Sequence, residues 1–115
     1  MKILLVEGNR DLVKSLEGYI VSLGHQVEAA FDGAQAVSAI SKNSFDALVM
    51  NSRIARVSAD SVATRFFIGG GKRVVCITDD PPHNVDGVLS DKKVKWLETP
   101  FSAQKLKKAL TEWSD

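Results

Sequence analysis

The stretch Phe45-Asp46-Ala47-Leu48-Val49-Met50 is a short and mostly apolar run, and the residue that follows it is Asn51. A run of this length predicts a strand that is buried on both faces of a parallel sheet. In open α/β sheets, ligands bind beyond the carboxyl ends of the strands, so we expect Asn51 at the functional edge. A carboxylate there can hold a metal ion or accept a phosphoryl group. An amide is neutral and a very poor nucleophile, so Asn51 favours a binding module over an enzyme-like switch.

Four other apolar runs alternate with helical patterns on both sides of this strand. We predict these further strands at 3–6, 25–30, 74–77 and 94–97. Apolar residues at three- and four-residue spacing predict helices over 12–23, 34–40, 58–67 (capped by Ser58 or Asp60) and 102–113. Gly24 is a good helix stop, and 69–71 is a run of three glycines that breaks the third helix. The stretch 79–91 is the least helical, and we expect a short helix from about His83 to Leu89, or none.

The alternation of strands and helices predicts the fold class. Strands separated by helices form a parallel sheet with right-handed crossovers. Five such units correspond to a flavodoxin-like, doubly wound (βα)5 sheet with the strand order 2-1-3-4-5. In that order Glu7 and Gly8, after the first strand, face Asn51 across the switch point, while Thr78 and Thr99 end the two strands beyond.

Composition limits the classes of function. The chain has 115 residues, and we predict a single domain over 1–115. A formal net charge of +1 argues against a protein built mainly to bind nucleic acid directly, and no apolar stretch approaches a membrane span. Cys76 is the single cysteine and stands in an apolar run, so we expect a buried, inert thiol. A cytoplasmic location is the default expectation.

Several segments carry a further signal through their order and spacing: 2–7, 24–27, Asp32-Gly33 with Ala36, 45–50, 74–78 and Pro100-Phe101. Over nearly the full length, this set resembles the receiver domains of response regulators in two-component signalling. The resemblance implies a phosphoryl site with two adjacent acids after the first strand and a phosphoacceptor aspartate after the third. It also implies a Thr or Ser after the fourth strand, a Lys before a proline, and a cis peptide at Thr99-Pro100.

The chain departs from that set at most of its positions. Glu7 keeps the first acid, Gly8 replaces the second, and Asn51 stands at the phosphoacceptor position. Thr78 matches, but Thr99 replaces the Lys, so the cation is missing. Because Mg²⁺ prefers carboxylate oxygens and Glu7 is the one carboxylate left, the resemblance implies weak or lost Mg²⁺ binding. It therefore implies a degenerate or pseudo-receiver with no catalytic residue, no cofactor and no phosphorylation.

The resemblance also implies a protein partner, which is a kinase, an output domain or another receiver. We expect the contact surface on the face made by the 83–89 segment, the fifth strand and the last helix, and homodimers can use the same face. Trp96 stands at the position of the family's switch aromatic, and Lys95 and Lys105 lie on the same face. Neither a membrane nor a nucleic acid is an expected direct partner. Lysines in this region otherwise form a solvated, edge-protecting surface.

Four alternatives stay open on the sequence alone. Asp79 is either a built-in stand-in for phosphate or a solvated turn residue. Asn51 can simply cap the following loop through local hydrogen bonds. The chain can be a phosphorylatable receiver, in which Asn51 was introduced or Glu7 or Asp79 serves as an unconventional acceptor. The same crevice can also bind a small ligand or nucleotide in the manner of flavodoxins.

Overall fold

Strands and helices alternate along the chain in a computed structural model that describes residues 1–80 and 87–112. The strands are β1 (Lys2–Val6), β2 (Gln26–Ala30), β3 (Ala47–Asn51), β4 (Arg73–Thr78) and β5 (Val94–Glu98). The helices are α1 (Arg10–Ser22), α2 (Gly33–Lys42), α3 (Ala59–Ile68) and α4 (Ala103–Thr111). All strand pairs are parallel, and the order β2-β1-β3-β4-β5 confirms the predicted doubly wound, flavodoxin-like sheet.

The register of the sheet brings the strand ends to one edge. Val6 on β1 pairs with Met50 on β3, and Asn51 pairs with Ile77 on β4. Thr78 pairs in turn with Glu98 on β5. The residues that follow these pairs therefore meet at the carboxyl edge of the sheet, which is where the sequence predicted the functional site.

Two apolar layers cover the two faces of the sheet and explain the continuous apolar runs. Leu4 and Leu48 pack with α2 and α3 on one face, while Ile3 and Val49 pack with α1 and α4 on the other. All four side chains have no exposed surface. Because neighbouring residues in a strand point to opposite faces, a strand covered on both faces must be apolar at every position. Each such side chain contributes about 1.5–3 kcal/mol on burial.

Side-chain caps set the starts of the four helices described. The side chains of Asn9, Asp32, Ser58 and Ser102 accept hydrogen bonds from first-turn backbone N–H groups. Of the two caps predicted for α3, the structure has Ser58. Gly24 follows α1 with a φ of +95°, a conformation that favours glycine, so its predicted role as a stop is confirmed.

The apolar stripe of α1 is narrower than the sequence pattern indicates. Val13, Leu16 and Ile20 are buried, whereas Leu12 is 38% exposed. At about 100° per residue, Leu12 lies at one side of the stripe that Val13, Leu16 and Ile20 form. Leu12, with which the apolar pattern 12–23 begins, is therefore at the border of the buried stripe.

The described part of the connection between β4 and β5 contains a 3₁₀ helix in place of a full α-helix. Residues Gly87–Ser90 form a 3₁₀ helix, and Leu89 in it is buried. The described part of the predicted 83–89 helix therefore belongs to a single 3₁₀ turn. The rest of that predicted helix, 83–86, lies outside the described residues, as does Trp113 at the predicted end of the last helix. In the described turn, Val88 packs against the apolar layer that contains α2 and α3, and Leu89 is buried in that layer.

None of the helices in the described ranges combines the length and the apolar character that crossing a bilayer requires. The cytoplasmic location stays a prediction.

Candidate functional site

A cavity of about 180 Å³ lies at the carboxyl edge of the sheet, where β3, β4 and β5 end. Its lining residues are Asn51, Arg53, Ile77, Thr78, Asp79 and Thr99. The structure thus brings together four of the residues selected from the sequence, and it adds Arg53, which sequence reasoning missed. We call this cavity the edge pocket.

Glu7 lies beside the edge pocket and is buried, with 6% of its surface exposed. Its Oε1 accepts a hydrogen bond from Asn51 Nδ2 at 2.8 Å, and its Oε2 accepts one from the Asn9 backbone N–H at 2.9 Å. A buried carboxylate costs free energy unless it is hydrogen-bonded. Both oxygens of Glu7 are therefore satisfied by neutral N–H donors.

Asn51 uses both ends of its amide. Nδ2 donates to Glu7, while Oδ1 accepts the backbone N–H of Arg53 at 2.9 Å. The second bond is the local loop cap that the sequence left as an alternative, so that interpretation is confirmed. The first bond joins residues 44 positions apart and needs a donor, which an ionised aspartate at this position lacks. The bond to Glu7 thus gives a structural reason for asparagine here.

The donor set around Glu7 does not fit Mg²⁺. The ion requires near-octahedral oxygen coordination, usually with carboxylates and waters. Asn51 turns its NH₂ group, not its oxygen, toward Glu7, and Gly8 supplies no side chain. A Cβ built on Gly8 meets nothing nearer than the Phe31 carbonyl oxygen at 3.5 Å, so packing does not forbid an acid there. Weak or lost magnesium binding stays a prediction, now supported by the chemistry of these groups.

Thr78 and Thr99 line the edge pocket from β4 and from the end of β5. Thr78 is buried, and its hydroxyl donates to the Asp80 carbonyl at 3.2 Å and accepts the Asp80 N–H at 3.1 Å. Its hydroxyl is thus engaged in a local turn. Thr99 donates its backbone N–H to the Thr78 carbonyl at 2.8 Å, and the Thr99-Pro100 peptide is cis, as the family resemblance implies.

Arg53 is a cation at the edge pocket that sequence reasoning missed. Although Thr99 replaces the family's Lys, Arg53 lines the edge pocket from the loop after β3. Its Nη2 lies 3.2 Å from Asp79 Oδ1, and the two side chains are 68% and 62% exposed. The sequence signal was its position: a basic residue two places after a strand-ending Asn51 can reach the same edge.

Asp79 lies where the sequence analysis predicted, because it contributes to the wall of the edge pocket. Its carboxylate pairs with Arg53 while staying 62% exposed, so both alternatives for Asp79 remain open. Whether this carboxylate acts as a stand-in for phosphate stays a prediction.

The loop after Asn51 is fastened to the start of α2. Gly33 donates its N–H to the Ala55 carbonyl at 2.9 Å, and Arg56 Nε lies 3.2 Å from Asp32 Oδ2. Gly33 is tightly constrained, because an added Cβ would lie 2.2 Å from the Val57 carbonyl oxygen. Arg56 itself has a φ of +76°, which is uncommon for a residue with a side chain. These contacts fasten the loop that carries Arg53, which lines the edge pocket.

The predicted interface residues lie around the edge strand β5. Trp96 is half-buried and packs against the apolar layer that contains α3. Lys95 donates its Nζ to the Glu112 carbonyl beyond α4, while Lys105 is exposed on α4. Trp96 and Lys95 therefore point to opposite faces of β5, and the predicted surface wraps around the edge of the sheet. The interface role of these residues stays a prediction.

Two other features add no chemistry to the site. Cys76 is buried on β4, and burial together with the nearby Asp60 charge raises the pKa of its thiol to about 12. The expected inert thiol is therefore confirmed, since the nucleophilic thiolate does not form at neutral pH. A larger groove of about 630 Å³ between α2 and α3 contains none of the predicted site residues.

Comparisons with known proteins agree with this geometry. No protein-family model matches the chain, and no curated protein matches it. Among solved structures, the receiver domain of the sensor histidine kinase PA1611 from Pseudomonas aeruginosa PAO1 is 26% identical, with a TM-score of 0.83. The match covers 97% of this chain and 95% of that one, and that structure has a magnesium ion coordinated in its active-site cleft.

Two further neighbours are a response-regulator receiver protein and a chemotaxis protein. A receiver protein from Sinorhizobium medicae WSM419 is 21% identical with a TM-score of 0.86, covering 97% of this chain and 92% of that one. The chemotaxis protein CheY4 of Vibrio cholerae is 18% identical with a TM-score of 0.82, covering 96% of each chain. The structural neighbours are thus receiver domains, which confirms the resemblance found in the sequence.

Proposed function

We propose that this chain, whose fold is that of response-regulator receiver domains, acts in two-component signal transduction by binding a partner protein without being phosphorylated. In this proposal it is a pseudo-receiver with no enzymatic turnover. Its partner is a signalling protein, which is a kinase, an output domain or another receiver. The receiver domain of a sensor histidine kinase among its neighbours supports this setting.

The observation that carries the proposal is the amide of Asn51 between Glu7 and the loop after β3. Phosphoryl transfer to a receiver needs an anionic nucleophile together with cations that neutralise developing charge. The Asn51 side chain is neutral, and both its oxygen and its nitrogen already have partners. A phosphoacceptor aspartate at position 51 would put a second carboxylate beside Glu7, and the two carboxylates would need a metal ion between them. Asn51 instead places a hydrogen-bond donor 2.8 Å from Glu7 Oε1.

Intact mass measurement tests this directly. The protein is incubated with MgCl₂ and acetyl phosphate beside a receiver domain that carries the aspartate, which serves as the positive control. We expect the control to gain a phosphoryl group and this chain to keep its mass. A stoichiometric gain by this chain would overturn the proposal. If the gain vanished in D79N but persisted in E7Q, Asp79 would be the unconventional acceptor.

The partner surface that we propose is the edge formed by β5 and α4. Lysines are concentrated here, at 92, 93, 95, 105, 107 and 108. Trp96 is half-buried on the edge strand, and large aromatics with a polar handle often anchor interfaces. We propose that homodimers, where they form, use this same surface. Neither nucleic acid nor membrane is a proposed partner.

Light scattering over a concentration series tests the homodimer form. We expect K105E to weaken any dimer by placing an acid on the exposed face of α4, whereas K42E on α2 serves as the matched charge control away from this surface. Equal effects of the two variants would contradict the assignment of the interface to β5 and α4.

A further inference from the structure

We propose that the larger groove between α2 and α3 is a docking site for an amphipathic helix of a partner protein, which apolar contacts and one charge pair toward each end hold in place. We call it the α2–α3 groove. It contains none of the residues of the edge pocket and none of β5 or α4. Binding in it therefore does not depend on phosphoryl chemistry or on the partner surface proposed above.

Apolar side chains from both helices line the α2–α3 groove, which has a volume of about 630 Å³. Val37 and Ile40 lie three residues apart on α2, so they share one face of that helix, and both are half-buried. Ile68 on α3 is 81% exposed, the highest value among the exposed large hydrophobic side chains of the described ranges. Four residues of α3 are buried, and Ile68 is not among them. This apolar surface is therefore available to a partner.

The hydroxyl groups of the α2–α3 groove already have partners within their own helix or its cap. Ser41 donates to the carbonyl three residues earlier at 2.7 Å, and Thr64 donates to the carbonyl four residues earlier at 2.8 Å. Ser61 Oγ accepts the Ser58 hydroxyl at 3.1 Å. These hydroxyls therefore favour an apolar occupant over a nucleotide or a sugar, which needs many polar partners.

The two charged residues of the α2–α3 groove lie toward opposite ends of α3. Asp60 is in the first turn and Arg65 in the last, about 7.5 Å apart along the axis at roughly 1.5 Å per residue. Both residues are exposed, and neither forms an ion pair within residues 1–80 and 87–112. The groove thus offers a negative charge near the carboxyl edge of the sheet and a positive charge nearer its amino edge.

An elongated occupant suits this groove better than a small molecule. Small-molecule sites usually bury about 70–90% of their ligand, whereas Asp60, Arg65 and Ile68 are all exposed at the border of this groove. From Asp60 to Ile68 the groove follows α3 over about 12 Å, which is roughly two helical turns. A helix with apolar residues at i, i+3, i+4 and i+7 presents an apolar ridge of that length.

The charges also set the direction of the docked helix. Acidic residues are favoured in the first turn of a helix and basic residues in the last. A partner helix with this usual pattern places its acid beside Arg65 and its base beside Asp60. It therefore lies antiparallel to α3, and to α2, which runs in the same direction because both helices follow parallel strands.

Fluorescence anisotropy with two labelled peptides tests the proposal. The forward peptide is an alanine-based helix with Leu at i, i+3, i+4 and i+7, a Glu one turn before the first Leu and a Lys one turn after the last. The reversed peptide exchanges this Glu and Lys. We expect the wild-type chain to bind the forward peptide about fivefold more tightly than the reversed one, and D60K/R65E to prefer the reversed peptide.

Apolar variants test the other half of the contact. We expect I68N to weaken the binding of both peptides about tenfold, because Ile68 loses the apolar surface that the ridge covers. V21N is the matched control, since Val21 is a 50% exposed apolar residue on α1, and it should bind as the wild type does. K105E on α4 should also bind as the wild type does, which separates this groove from the surface of β5 and α4.

Four results would overturn the proposal. The first is that neither peptide binds the wild-type chain, and the second is that both bind it equally. The third is that V21N or K105E loses as much affinity as I68N. Sedimentation velocity without peptide gives the fourth: a wild-type dimer that I68N converts to a monomer would assign the α2–α3 groove to a second copy of this chain.

Discussion

Replacing Asn51 with aspartate tests the central contact of the site. In N51D the donor that faces Glu7 Oε1 at 2.8 Å becomes a carboxylate oxygen, so two anions meet at hydrogen-bond distance beside a buried group. The Arg53 backbone N–H keeps an acceptor, because either side chain offers an oxygen to it. The variant therefore changes the contact with Glu7 while preserving the local loop cap.

The cost follows from the distance between the two groups. Two unit charges about 3 Å apart repel by roughly 5–6 kcal/mol at an effective dielectric constant of about 20. Protonation of one of the two carboxylates limits this cost, because protonating a carboxylate with its ordinary pKa of about 4 at pH 8 requires about 5 kcal/mol. We therefore expect N51D to lose about 2–5 kcal/mol of unfolding free energy at pH 8, a large part of the usual total of about 5–15 kcal/mol.

The sign of the pH dependence separates this mechanism from simple loss of packing. The folded N51D binds a proton more tightly than the unfolded chain does, so its stability deficit is full at pH 8 and shrinks as the pH falls toward about 4. Urea unfolding of wild type, N51D and N51A at pH 8 and pH 5 measures this stability deficit. N51A removes the hydrogen bond to Glu7 without adding an anion, and it also removes the loop cap on the Arg53 N–H, a loss that does not depend on pH. The reasoning would be refuted if the deficits of N51D and N51A were equal at both pH values.

Magnesium adds a second readout to the same experiment. Two carboxylates facing each other form a ligand set that a divalent cation stabilises. We expect millimolar MgCl₂ to raise the unfolding midpoint of N51D, to raise that of G8D/N51D further, and to leave the wild type unchanged beyond the general effect of salt. An equal response of all three proteins would contradict the assignment of Asn51 as the residue that keeps the ion out.

Four further predictions concern the scaffold. G33A should lose about 1–3 kcal/mol or more of stability, because a Cβ at this position would lie 2.2 Å from the Val57 carbonyl oxygen. G18A, where a Cβ meets nothing within 4 Å, should gain about 0.5–1 kcal/mol in the same urea assay. R56G should be about 1 kcal/mol more stable than R56A, because both lose the ion pair with Asp32 and only the glycine relieves the positive φ. Burial and the adjacent amino-terminal ammonium lower the pKa of His25 in the folded chain below its ordinary value of 6.5. The contribution of neutral His25 to stability is therefore present above pH 6.5. It is lost as the pH falls through the pKa of the folded chain. Thermal unfolding between pH 7 and pH 5 should therefore decline less steeply in H25Q than in the wild type, and parallel curves would contradict this.

The sequence by itself determined the frame of the molecule. Short, mostly apolar runs such as 45–50 are typical of strands covered on both faces, and their alternation with helical stripes predicted a parallel sheet and its order. Asn51 was found in the same way, because the position after a buried strand lies at the functional edge. Gly24 was also predictable, since a helix stop depends on local backbone geometry.

Tertiary structure alone decided which side chains meet at that edge. The hydrogen bond from Asn51 to Glu7 and the ion pair between Arg53 and Asp79 join residues 44 and 26 positions apart. Local periodicity records which face a residue takes, but it carries no information on the distance between two loops. That distance is set by the register of β1, β3 and β4 and by the direction of each side chain. The sequence showed that the family's Lys is replaced by Thr99, whereas only the folded structure shows that Arg53 reaches the same pocket from the loop after β3.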